Sequence, residues 1–134
     1  MTSIKALIIH PTDPRRTSLT EIEASSAKDL QRIVGGWIEA VYGRCGDPSC
    51  TSEPCMTIYL NEEGKLHGLE PNWAATILWQ LYTNPQDRND DVIVGTVVVT
   101  GGNDAAGNTL PIADHVLKAA GLIYQLQAAL AVRT

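Results

Sequence analysis

The chain has 134 residues, of which 44% are hydrophobic and 19% are charged, and it contains no Phe. This length suits one domain and this apolar content suits a continuous core, which together exclude an intrinsically disordered chain. The net charge is −5 and the ten Lys and Arg residues are dispersed, so we expect no non-specific binding to nucleic acid.

The apolar segments are too short for export or for membrane insertion. The run at residues 6–9 is shorter than the ~7–15 apolar residues of a signal-peptide core. The apolar stretch at 119–132 includes Gln125 and Gln127 and is shorter than the ~20 residues that cross a bilayer. We therefore expect a cytoplasmic protein without membrane contact.

Two strands are predicted first in chain order. Residues 4–9 form an apolar run that ends at a His-Pro pair, which predicts a strand followed by a turn. Residues 11–19 contain two Pro and two Arg and predict a loop, after which residues 21–23 predict a second short strand.

A helix is predicted over residues 27–42. Ser26 and Asp29 resemble a capping box, and the apolar residues that follow recur at helical spacing. Gly35 and Gly36 lie inside this predicted helix, where each costs about 1 kcal/mol relative to Ala. We attribute them to close approach by a strand, with a partner helix or a ligand as alternatives.

The alternating β-formers at residues 56–60 predict a strand. The sequence at 61–65 then predicts a hairpin turn with Gly64 at a positive φ, and His67 in the second strand of that hairpin.

The next predicted helix begins at Pro71, with Glu70 as an imperfect cap, and ends at residues 84–85. Trp73 and Trp79 are six residues apart on it, so both cannot point into one core face. We expect one of them to be exposed and to mark a binding surface, because aromatic side chains anchor interfaces.

The apolar segment 91–100 predicts a central strand that is covered on both faces, with Gly95 as a bulge or a point of close approach. The loop at 101–108 lacks the spacing of a phosphate-binding loop.

The C-terminal segment 109–133 predicts a helix from near residue 111. Because this helix is apolar on most sides, it should pack into the core or form a homodimer.

The order of these elements predicts one α+β domain over residues 1–134. We expect a two-layer sandwich with a small, mostly antiparallel sheet and about three helices, the last of them the C-terminal helix over residues 109–133.

Three cysteines, Cys45, Cys50 and Cys55, share one loop. In a reducing compartment such a cluster suggests metal or redox chemistry before structural disulfides. Zinc would need a fourth ligand from His67, His10 or another chain, and the four-residue spacing is not typical of zinc sites. Zinc is the one cofactor that we consider. The alternatives for the three cysteines are incidental thiols in an exposed loop and a disulfide formed on purification.

No reaction class is indicated by a motif of the sequence. The acidic residues Glu62 and Glu63 precede His67 closely, so a small enzyme that acts on a nucleotide or similar metabolite is one alternative. Solvated turn residues are the simpler interpretation of the same side chains.

Four blocks of the sequence resemble those of a family of small proteins of unknown function, which occur in bacteriophages and in bacteria, including actinobacteria and their prophages. In order they read LQRIVGGWIE at 30–39, NEEGK at 61–65, GLEPN at 68–72 and DVIVGTVV at 91–98. The resemblance covers roughly residues 4–102, so residues 1–102 are the family-like core of the domain. The cysteine loop and the C-terminal helix look peculiar to this sequence, and the resemblance implies no role for them. It implies a phage accessory protein that acts in the host cytoplasm, and it implies no catalytic residue.

We therefore expect a non-catalytic protein that binds a host protein or a small host-derived ligand, in host takeover or counter-defence. This hypothesis has two alternatives: the small enzyme described above and a zinc-stabilised interaction module on the three cysteines. The expected binding residues lie in the family-like blocks and are Gln31, Gly35, Gly36, Glu39, Asn61, Glu62, Asn72 and Trp73.

Overall fold

A computed structural model describes residues 3–23, 27–44, 54–83, 86 and 91–132. Within these residues the elements follow the order β1 (Ser3–Ile9), β2 (Ser18–Glu23), α1 (Ala27–Val34), β3 (Ile38–Gly43), β4 (Met56–Asn61), α2 (Trp73–Leu81), β5 (Val97–Thr100) and α3 (Asp114–Val132). The strands form one antiparallel sheet in the order β2-β1-β5-β4-β3. The predicted α+β class, with an antiparallel sheet and three helices, is confirmed.

The central strand of the sheet is β5, which pairs with β1 on one side and with β4 on the other. All four of its side chains are buried. Val97 and Val99 point into one apolar cluster and Val98 into another, so both faces of the strand are covered. The strand is shorter than the predicted 91–100, because Gly95, at φ 80°, turns the chain just before it.

Helices cover both faces of the sheet. On one face Leu30 and Val34 of α1 pack with Ile4 and Val98. On the other face α2 and α3 lie side by side over the larger apolar cluster. The sheet thus has helices on both faces, which is one layer more than the two layers that we expected. A strand that is apolar on both faces needs cover on both.

The helix predicted over 27–42 is wrong in its second half, because α1 ends at Val34. Gly35 adopts φ 82°, and the N–H groups of Gly35 and Gly36 both donate to the carbonyl of Gln31, at 2.8 and 3.1 Å. This is the closure of a helix C-terminus by glycine. The residues that follow form β3, because pairing with β4 outweighs their helical periodicity.

The hairpin predicted at residues 61–65 is also wrong. Residues 62–68 form consecutive turns and the chain does not return as a strand, so His67 lies in a turn. The positive φ belongs to Gly68, at 67°, and not to Gly64.

The last helix begins at Asp114, slightly later than predicted, and its first turn contacts the end of α2. The hydroxyl of Tyr82 and Nδ1 of His115 are hydrogen bonded at 2.9 Å. Among the helices of the described residues, none is long and apolar enough to cross a membrane.

Two glycines offer the same substitution in opposite settings. Gly35→Ala places a side chain at φ 82° and should lower the free energy of unfolding by about 1–2 kcal/mol. Gly121→Ala lies on the exposed side of α3, where no atom beyond the adjacent residues and the backbone of the helix itself lies within 4 Å of the added carbon. It should raise the free energy of unfolding by about 0.5–1 kcal/mol. Urea denaturation of both variants measures this, and changes of the same sign would contradict the assigned end of α1.

Candidate functional site

A cleft of about 940 Å³ opens where the loop after β1 meets the start of α2 and the second half of α3. Its described walls are His10, Pro11, Thr12, Pro14, Thr17, Trp73, Ala74, Tyr124, Gln127 and Ala128. The walls are mostly apolar, and none of these residues is Asp, Glu, Lys or Arg.

The loop wall of the cleft is organised by the imidazole of His10. Its Nδ1 accepts hydrogen bonds from the backbone N–H groups of Thr12, at 3.2 Å, and Asp13, at 2.9 Å. Because Nδ1 is an acceptor, the neutral ring carries its proton on Nε2. The opposite edge of the ring is thus a hydrogen-bond donor directed away from the backbone of its own loop.

The loop is joined to α3 by two hydroxyl groups. Those of Thr17 and Tyr124 are hydrogen bonded at 2.8 Å, and Thr17 Oγ1 also accepts from the backbone N–H of His10 at 3.1 Å. Burial raises the pKa of Tyr124, although the hydrogen bond to Thr17 opposes that rise. The phenol therefore stays protonated at neutral pH and remains available as a hydrogen-bonding group.

Trp73 is the aromatic wall of the cleft. It is the first residue of α2, and 53% of its surface is exposed. Trp79, on the same helix, packs against the main core cluster. The prediction that one of the two tryptophans is exposed is confirmed.

Asn72 places Trp73 beside the loop. Its side chain is fully buried and donates to the carbonyls of Ile9, at 3.0 Å, and Gly95, at 2.9 Å. Its Oδ1 accepts from the N–H of Ala75 at 3.1 Å, which caps α2. The expected cap at Glu70 is wrong, because the helix begins later. Asn72, which we expected to bind a partner, has its polar atoms engaged inside the protein.

A second, smaller cleft of about 110 Å³ brings together three of the expected binding residues, Glu39, Asn61 and Glu62. Lys65 and Asp91, which also line it, form an exposed ion pair. The two clefts therefore differ in chemistry, since this one is small and rich in charge.

Asn61 holds the end of α1 against β4. It is buried, its Nδ2 donates to the carbonyl of Val34 at 3.3 Å, and its Oδ1 accepts from the N–H of Glu63 at 2.9 Å. A Cβ on Gly36 would lie 2.9 Å from the same amide nitrogen. Close approach of a β-strand residue thus explains Gly36, and Gly35 and Gln31 belong to the helix end described above.

Glu63 and His67 approach each other, with Oε2 and Nε2 separated by 3.1 Å. Both side chains are exposed on the turns after β4, and neither lines either of the two clefts. Glu62 lines the small cleft instead, so the structure separates it from this contact.

Of the three cysteines, only Cys55 lies within the described residues. It is buried, and its thiol donates to the carbonyl of Gly43 at 3.6 Å. Cys45 and Cys50 lie outside the described residues, so the expected zinc site stays a prediction. Across the described part of the chain, no three His, Cys, Asp or Glu residues are arranged to hold a metal.

Sequence reasoning missed most of the large cleft. Trp73 was expected to bind, but His10, Thr17, Tyr124 and Gln127 were not. The strand ending at a His-Pro pair was a usable signal for the loop, since binding residues concentrate in loops that follow rigid elements. Nothing in the pattern of α3 singled out Tyr124, which is 107 residues from its partner Thr17.

Comparison with known proteins identifies one family. The family model described as a domain of unknown function, DUF3846, matches residues 4–125. The match extends beyond the expected 4–102 and includes the cysteine loop and much of α3. No curated protein matches the chain, and no solved structure matches it.

The role assigned to Asn72 predicts a large loss of stability on Asn72→Ala. Two buried carbonyls would lose their donor and α2 its cap, which should lower the free energy of unfolding by about 2–4 kcal/mol. Asn103→Ala is the matched control, because Asn103 is exposed, and its effect should stay within about 0.5 kcal/mol. Equal effects in urea denaturation would contradict the structural role of Asn72.

Proposed function

We propose that this chain, which belongs to the DUF3846 family of domains of unknown function, is a non-catalytic binding protein that holds a small uncharged ligand in the large cleft. The observation that carries the proposal is an apolar cleft, with no charged side chain in its described walls, at which an exposed tryptophan stands.

The size and composition of the cleft support a small molecule as the ligand. Small-molecule sites usually enclose roughly 300–1,000 Å³, and their apolar walls carry a few polar groups that set orientation. The cleft has this volume, and its polar groups come from His10, Tyr124, Gln127 and two threonines. A charged ligand would lose hydration there without gaining a counter-charge, which favours an uncharged one.

The chemistry of the walls also supports binding without catalysis. The described lining residues include no carboxylate. The carboxylate of Asp13, which lies near His10, accepts hydrogen bonds from Arg15, and Nδ1 of His10 is occupied by the loop backbone. A histidine that acts as a base is normally oriented through its second nitrogen by an acidic or carbonyl acceptor. Here the second nitrogen accepts hydrogen bonds, so the ring is held as a donor.

The host-directed role implied by the family resemblance is the setting that we propose for this binding, in the cytoplasm and away from membranes.

The enzyme alternative has the contact between Glu63 and His67 in its favour. Their exposure weakens it, because catalytic electrostatics depend on a site that excludes water. The zinc alternative rests on Cys45, Cys50 and Cys55, and elemental analysis of protein purified without added metal decides it.

We also propose that α3 mediates a homodimer. Leu122 and Leu126 are four residues apart on one side of the helix, and they are 61% and 65% exposed. Apolar side chains that recur at this spacing on a helix surface commonly pack against a partner helix.

Light scattering at rising protein concentration tests the dimer, and we expect the mass of two chains. Leu126→Lys should shift the mass to that of one chain, because it would bury a charge in an apolar interface. Leu66→Lys is the control, since Leu66 is exposed on the turns after β4, and it should leave the mass unchanged. One-chain mass at every concentration would refute the dimer.

The cleft proposal is tested with N-phenyl-1-naphthylamine, an uncharged apolar dye that fluoresces when bound. The dye should bind the wild type, and Trp73→Ala should weaken binding at least about fivefold, because a large aromatic contact is lost. Trp37→Ala is the matched control, since Trp37 is 67% exposed and does not line the cleft. Equal weakening of dye binding by both substitutions would contradict the proposed site.

A further inference from the structure

We infer that the ligand of the large cleft is a nucleoside, whose base stacks on Trp73 while its polar edge is read by His10 and Gln127. This inference rests on the function proposed above and names the chemical class of the ligand. Three properties of the walls support this inference: an aromatic platform, the presence of both hydrogen-bond donors and acceptors, and the absence of Lys and Arg among the described lining residues.

Trp73 supplies the platform. Its indole lies at the cleft with about half of its surface exposed, and its position is set by the buried, capping Asn72. Pro11 and Pro14 contribute flat apolar surface on the loop wall. Stacking on an aromatic side chain favours a ligand with a π-face, and every nucleobase has one.

The polar groups suit the edge of a nucleobase. His10 presents Nε2–H as a donor, because Nδ1 is held as an acceptor by Thr12 and Asp13. The carboxamide of Gln127 offers a donor and an acceptor side by side. Protein pockets that take a single base read adjacent donors and acceptors on its edge while apolar side chains enclose its faces. An alkyl chain would leave these groups unpaired in an apolar cleft, which costs affinity.

The charge of the walls separates a nucleoside from a nucleotide. The described walls contain no Lys or Arg, and the chain as a whole carries a net charge of −5. A phosphate inside the cleft would lose water without meeting a Lys or Arg among the described lining residues. The cleft volume of about 940 Å³ is ample for a base with its sugar. The same reasoning disfavours single-stranded nucleic acid, whose binding depends on a basic groove.

Isothermal titration calorimetry with adenosine, guanosine, cytidine, uridine and their 5′-monophosphates tests the inference. At least one nucleoside should bind, and its monophosphate should bind at least about tenfold more weakly, because the phosphate lacks a partner. Trp73→Ala should weaken nucleoside binding at least about fivefold. Trp37→Ala should leave it unchanged.

Two further substitutions test the edge contacts. His10→Asn keeps an acceptor for the N–H groups of Thr12 and Asp13, as in an Asx turn, but removes the ring donor. It should weaken nucleoside binding at least about fivefold while leaving the binding of the dye within about twofold, since the dye uses no edge contact. Gln127→Leu should act in the same direction, and Gln125→Leu, exposed on the same helix, should have no effect. Thermal unfolding confirms that each variant is folded.

The outcomes are distinguishable. Binding of the dye with no binding of any nucleoside overturns the nucleoside assignment and leaves the proposed function standing. Failure of both to bind overturns both. A monophosphate that binds more tightly than its nucleoside overturns the assigned class of ligand. Nucleoside binding that is unaffected by Trp73→Ala, His10→Asn and Gln127→Leu overturns the assigned location in the large cleft.

Discussion

The large cleft depends on one buried amide. The side chain of Asn72 bonds to the last residue of β1, to the turn before β5 and to the first turn of α2. These three segments are far apart in the chain, and the amide brings them to one point. Because His10 follows β1 and Trp73 begins α2, the same bonds bring the polar wall and the aromatic wall of the cleft together.

The third wall depends on contacts that are separate from this amide. α3 packs on the sheet through its apolar side, and the hydroxyl of Tyr124 reaches the loop at Thr17. The raised pKa of Tyr124 follows from that burial, so the phenol stays neutral where it closes the cleft. A ligand in the large cleft would contact the loop after β1, α2 and α3, and it should stabilise the packing of these three segments.

The two clefts differ in charge and in volume. The smaller one contains Glu39, Glu62 and the ion pair of Lys65 with Asp91, which offers charge but little volume. The larger one offers volume and an aromatic surface without charge in its described walls. Of the polar residues in the family-like blocks, Glu39, Asn61 and Glu62 line the smaller cleft and not the larger one. Asn61 and Asn72 act inside the protein, as the groups that connect the end of one element to the start of another.

The sequence by itself determined the α+β class, strands β1, β2 and β4, the central position of β5 and the exposure of one tryptophan of the pair Trp73 and Trp79. Each of these follows from local periodicity, turn residues or apolar content, which act over a few neighbouring positions. The end of α1 at Val34, the strand nature of β3 and the turns after β4 were decided by tertiary structure. Pairing with β4 outweighs the helical pattern of β3, and β4 is already paired with β3 and β5, so the chain after it does not return as a hairpin strand. The cleft itself also required the fold, since Thr17 and Tyr124 meet only when the sheet and α3 have packed.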